Sequence, residues 1–220
     1  MQTYLTVLSF ITPITLIIGL VIGWAQFNKY QPLYKILFWY LCVALVTDLL
    51  CRYFGYVDQG KFNLFMIPLF AFAELVLFAY LYYQHFLDKP KLMLWVLVVP
   101  ISLAIVDFRL VNGSTDAHQY QSYGMVIADF TIILCSLAYF WKTIQASKNP
   151  PELFALNSAF LIFFSFNMLL FSALNFLVNE HINLVAFFWI ANNVSLVAFY
   201  SFIIYQLWQH GKTLKTLQYG

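Results

Sequence analysis

The stretch Asn63 to Phe86, NLFMIPLFAFAELVLFAYLYYQHF, constrains the chain most. Its 24 residues, wound as a helix, are long enough to cross a bilayer. Glu74 sits near the middle of this apolar run. A carboxylate at that depth costs on the order of 3 kcal/mol, so it is expected to face protein or a wet cavity instead of lipid.

The same pattern recurs along the chain: long apolar blocks separated by short polar breaks. Charged residues make up 9% of the sequence, against about a quarter in a soluble domain. Hydrophobic residues make up 63%, and the mean hydropathy is +0.79. The blocks predict an all-α, polytopic integral membrane bundle, a single domain over residues 1–220. Seven transmembrane helices are expected, over about 5–26, 33–54, 63–86, 91–110, 120–141, 153–177 and 183–208.

Lysines and arginines set the orientation. Lys29, Lys35, Lys89, Lys91, Lys142, Lys148, Lys212 and Lys215 fall on one side, and Arg52, Lys61 and Arg109 on the other. The positive-inside rule then places the N-terminus outside and the C-terminus in the cytoplasm. The first block has no basic leader and no small-residue cleavage site, so it reads as a span and not as a cleaved signal. A bacterial inner (plasma) membrane is the expected location.

The short tails predict no soluble catalytic or nucleotide-binding part, so a signalling output would run through a protein partner or a homo-oligomer. The basic residues form no patch, which argues against nucleic acid. Cys42, Cys51 and Cys135 are odd in number and lie within spans, and are expected to be free thiols.

Local motifs add detail. Thr15, Gly19 and Gly23 form a small-residue face on the first span, suited to close helix approach. Asp48 and Arg52, acid first and four apart, suit a helical ion pair. Pro13, Pro68 and Pro100 interrupt their spans, and Tyr80, Tyr82 and Tyr83 with His85 read as an interfacial aromatic belt. Asn112-Gly113-Ser114 forms a glycosylation triplet in an outer loop.

Polar residues cluster by depth. Asp48, Asp107, Asp129, Asn175, Asn192 and Asn193 map to the outer half of the bundle, with Glu74 and Asn167 near its middle. An outward-facing polar pocket with Glu74 at its floor is expected. The candidate ligand-binding residues are Glu74, Asp48, Asp129, Asn167, Asn192, Asn193 and Arg52. The pocket is acid-rich, suited to a cation, a hydrogen-bonding small molecule or a proton.

A shift of 119 positions aligns Lys29 with Lys148, Pro32 with Pro151, Asp48 with Asn167 and Glu74 with Asn193. That layout, three helices, a linker helix and three more, resembles the SWEET and PQ-loop transporters. The resemblance implies a parallel 3+1+3 repeat with a substrate site at its interface.

Lys29-Tyr30-Gln31-Pro32-Leu33 followed by Thr47-Asp48-Leu49-Leu50 resembles the first half of the lysoplasmalogenases. Phe164-Ser165-Phe166-Asn167-Met168-Leu169-Leu170 is similar to their second acidic motif, with asparagine in place of the acid. This implies an intramembrane lipid hydrolase with Asp48 or Glu74 as general base.

No lysine lies deep in a span, which excludes a retinal Schiff base, and the HxxxH pattern of ceramidase-like hydrolases is missing. His85 and His210 map to the inner side, and His118 and His181, beside Asp116 and Glu180, to outer loops. No spacing fixes a metal set. No metal and no cofactor are expected.

Three function classes compete. A small-molecule binder or transporter ranks first, then the lipid hydrolase, then a structural or sensory membrane subunit acting through a partner. Membrane lipid is a partner in all three.

Overall fold

The computed structural model describes residues 2–57, 63–89, 97–98, 100–103, 105–106, 123–146, 151–180 and 182–219. Helices are the only regular secondary structure among these residues. The long helices are α1 (Gln2–Gln26), α2 (Pro32–Val57), α3 (Asn63–Leu81), α4 (Tyr123–Gln145), α5 (Pro151–Glu180) and α6 (Ile182–Tyr219). Among the described residues, six helices are long and apolar enough to cross a membrane. In lipid, a helix keeps every backbone hydrogen bond within itself, so long apolar blocks have few other solutions.

The segment expected to span 91–110 shows helical backbone at 97–98, 100–103 and 105–106. Lys61, Lys91, Asp107, Arg109, the Asn112 triplet, Asp116, His118, Lys148 and His181 lie outside the described residues, as do the side chains of Asn175, Glu180 and Lys215.

Proline marks helix starts: Pro32 opens α2 and Pro151 opens α5, where the missing N–H is no loss. Pro13 and Pro68 sit inside α1 and α3, which continue through them. A short 3₁₀ turn, Phe27–Lys29, joins α1 to α2. Beyond Leu81, α3 widens into a π-helical turn over Tyr82–Phe86, closed by the Leu87 amide donating to the Tyr82 carbonyl at 2.9 Å.

Helix surfaces run opposite to those of a soluble protein. On α5 the outward positions Ile162, Phe166 and Leu169 are exposed, whereas Asn157 and Asn167 are buried. Exposed apolar faces with polar groups turned inward suit a lipid solvent. The chain is an integral membrane protein.

Two compact units divide the chain. The first comprises residues 1–49 and 189–220, the second residues 50–188. In the first, α1, the start of α2 and most of α6 pack around Leu16, Leu37, Leu41, Ile203 and Leu207. The small-residue face of α1 is used there. A Cβ on Gly19 would lie 2.5 Å from Ile204, and one on Gly23 would lie 2.5 Å from the Phe38 ring. The hydroxyl of Thr15 instead bonds back to the Ile11 carbonyl at 2.9 Å.

In the second unit α4 lies against both α3 and α5. Its buried positions Met125, Asp129, Ile132, Ser136, Tyr139 and Thr143 alternate steps of four and three, which keeps one stripe facing its neighbours. Cys42, Cys51 and Cys135 are free thiols, half-buried.

Candidate functional site

The helices of the second unit stack their buried side chains in layers. Nearest the start of α3 is an apolar cluster of Ala71, Leu75, Met125, Ala128, Phe171 and Leu174. The next layer is polar. Glu74, Asp129 and Asn167, one from each helix, are 1%, 0% and 1% exposed.

Asn167 donates its amide N–H to Asp129 Oδ2 at 2.9 Å. The carboxyls of Glu74 and Asp129 act on one another electrostatically. Two oxygens of the layer, Asp129 Oδ1 and Asn167 Oδ1, are buried without a hydrogen-bond partner. Both are acceptors, and a buried acceptor left unfilled costs about 1–3 kcal/mol.

One turn on, the layer is aromatic. Phe78 meets Phe164 at 4.7 Å and Phe160 at 5.0 Å between ring centroids, both edge to face, a favoured geometry for aromatic rings. Beyond it a second polar layer is closed on itself. Tyr82 donates its hydroxyl to Asn157 Oδ1 at 2.8 Å, and Asn157 donates Nδ2 to the Ser136 carbonyl at 3.2 Å. Ser136 returns a hydroxyl to the Asn157 carbonyl at 3.3 Å. Phe86 and Tyr139 then pack edge to face at 4.8 Å. At the end of the stack, Lys142 donates to the Phe86 carbonyl at 2.9 Å and pairs with Asp88.

This places Tyr82 differently from an interfacial belt residue: it is fully buried, while Tyr80 beside it is 53% exposed. The widened turn that begins at Tyr82 accompanies this inward placement. Asn157 and Ser136 carry no charge and stood out from no motif. The signal was the spacing of Asn157, Phe160, Phe164 and Asn167, steps of three, four and three along one face of α5.

No protein-family model, curated protein or solved structure matches the chain.

Of the residues singled out from sequence, Glu74, Asp129 and Asn167 therefore meet in one layer. Arg52 belongs to the same unit and is half-buried on α2. Asp48, Asn192 and Asn193 belong to the first unit. Asp48 and Asn193 are half-buried there, and Asn192 is buried with its Oδ1 unpartnered. Among the described residues no group of three or more His, Cys, Asp or Glu side chains is placed to hold a metal ion.

The first unit gathers a different set near the α1–α2 turn. Tyr34 and His210 stack with ring centroids 3.8 Å apart, and Tyr30 lies 6.3 Å from His210. The Tyr30 hydroxyl is buried without a hydrogen-bond partner. Burial pushes this phenol from its ordinary value of 10 up to about 12.

Proposed function

We propose that the protein binds or transports a small molecule within the membrane and that Glu74, Asp129 and Asn167 form its recognition site. The observation that carries this reading is the pair of unfilled acceptors, Asp129 Oδ1 and Asn167 Oδ1, on side chains that are almost fully buried. Packing glue fills its own hydrogen bonds, as the Tyr82–Asn157–Ser136 layer does. A recognition site keeps acceptors for its ligand. In this reading a ligand reaches the layer from the side that the positive-inside rule makes external when the apolar cluster over it moves aside, and occupancy shifts the packing of α3, α4 and α5.

Native mass spectrometry of the protein purified gently from its own membranes tests this, with wild type beside Glu74→Gln and Asp129→Asn. A defined small mass carried by wild type and lost in the variants supports the reading. Its absence from wild type, with all three proteins equally folded, overturns it.

One observation favours a second reading, an intramembrane lipid hydrolase. Glu74 and Asp129 place two carboxyls in one layer, enough for a general acid and a general base. Turnover of a lysolipid by the purified protein, abolished by either substitution, would select that reading.

A further inference from the structure

We infer that the Glu74–Asp129–Asn167 layer takes a small monovalent cation, a sodium ion or a proton, held by its carboxyl and amide oxygens. This rests on the recognition-site reading above and names the chemistry of its occupant. Three observations point to it.

The unfilled groups are all of one kind. Asn167 directs its amide N–H to Asp129 Oδ2, so that Asn167 Oδ1 and Asp129 Oδ1 both await a donor or a cation. A neutral hydroxylated solute would bring lone pairs of its own, and the layer has little to donate to them.

Charge agrees. The groups facing Asp129 are the carboxyl of Glu74 from α3 and the neutral amide of Asn167 from α5. No basic group among the described residues touches Asp129. A cation in the layer offsets both the repulsion between the carboxyls and the loss of water around Asp129.

Size and valence narrow the class. The apolar cluster around Ala71, Leu75 and Ala128 closes one side of the layer and Phe78 with Phe164 the other. Glu74, Asp129 and Asn167 bring five side-chain oxygens at most, and Asp129 Oδ2 is committed to an amide N–H. Calcium takes six to eight oxygens, and magnesium keeps several of its waters. A monovalent ion or a proton asks for less.

Thermal unfolding of the purified full-length protein in detergent is the test, in two series. One replaces choline chloride by sodium chloride at constant ionic strength and pH 8, and the other lowers the pH from 8.5 to 5.5 in choline chloride. At about a hundredfold excess over Kd the melting temperature of wild type should rise by about 5 °C or more. A rise with sodium identifies the ion, and a rise with acid alone identifies the proton.

Asp129→Asn should flatten whichever response appears, and so should Asn167→Ala, which keeps the carboxyl and so serves if the first variant folds poorly. A wild type insensitive to both series overturns the inference, as does an equal response in Asp129→Asn. A small-molecule adduct in native mass spectra without any cation response overturns this inference alone. A cation response without an adduct overturns the small-molecule reading and leaves the cation site standing.

Discussion

In the first unit, helices meet where a side chain is missing: Gly19 admits Ile204 and Gly23 admits the Phe38 ring. In the second unit they meet through side chains stacked in alternating polar and aromatic layers, Glu74–Asp129–Asn167, then Phe78–Phe160–Phe164, then Tyr82–Asn157–Ser136. Lipid tails are as apolar as leucine, so neither unit gains from burying apolar surface alone. One gains dispersion by close approach, and the other gains hydrogen bonds that no lipid can supply. The second unit thus carries two polar layers where one would hold the helices together. The layer at Asn157 is saturated, and the layer at Asp129 is not. In the function proposed above, that surplus separates a site from a joint.

The largest effects should come from exchanging these two roles. Asn157→Leu takes from the Tyr82 hydroxyl and the Ser136 carbonyl the side chain that both of them bond. A loss of about 2 kcal/mol is expected, seen as a melting temperature about 5 °C lower. Adding Tyr82→Phe should return part of the loss, because removing both members of a buried pair costs less than removing one. Asp129→Asn should do the reverse, leaving the melting temperature unchanged or higher, since a buried carboxyl is replaced by a neutral isostere. Equal destabilisation by both variants would erase the distinction between the layers.

How far this could be read from sequence follows the same division. The helices were legible because a run of about 20 apolar residues has one common solution in a bilayer. Glu74 was legible because an acid amid that run needs a reason, and the Gly19–Gly23 face because its spacing is a packing signature. The bond from Asn167 to Asp129 was not, since it joins residues 38 apart through a rotation of two helices that composition does not set. Tyr82 misled for a related reason. A tyrosine near a span end suits an interfacial belt, and only the turn at Tyr82–Phe86 and a partner 75 residues away show that it points inward.

A smaller effect tests the first unit. The Cβ of Gly23→Ala would meet the Phe38 ring at 2.5 Å, and that ring is held by Phe27 at 5.0 Å and by Trp39 at 6.0 Å between centroids. Overpacking of this kind costs about 1–3 kcal/mol, a lower melting temperature with the Asp129 chemistry untouched. At Gly211→Ala the new methyl would meet the side-chain amide of Gln26. Its flexible end can swing aside, so a milder loss is expected. If Gly23→Ala were as mild as Gly211→Ala, close approach would not be what holds this unit.

The smallest expected effect lies at Tyr30, where the first unit has its own unsatisfied polar atom. The hydroxyl is buried without a partner, so at neutral pH Tyr30→Phe should leave stability unchanged or slightly higher. Alkaline pH should separate the two proteins. Burial holds the folded phenol near 12 while the unfolded one ionises near 10. The folded chain therefore keeps a proton that the unfolded chain gives up. The stabilisation this carries is complete below pH 10 and fades as the pH rises toward 12. Wild type should lose stability across that window faster than Tyr30→Phe, as read from paired unfolding curves at pH 9, 10 and 11. Parallel curves would mean that the phenol reaches water in the folded chain. The unfilled oxygens of the second unit, on side chains 0% and 1% exposed, would then stand apart from Tyr30, whose ring lies beside the short turn between α1 and α2.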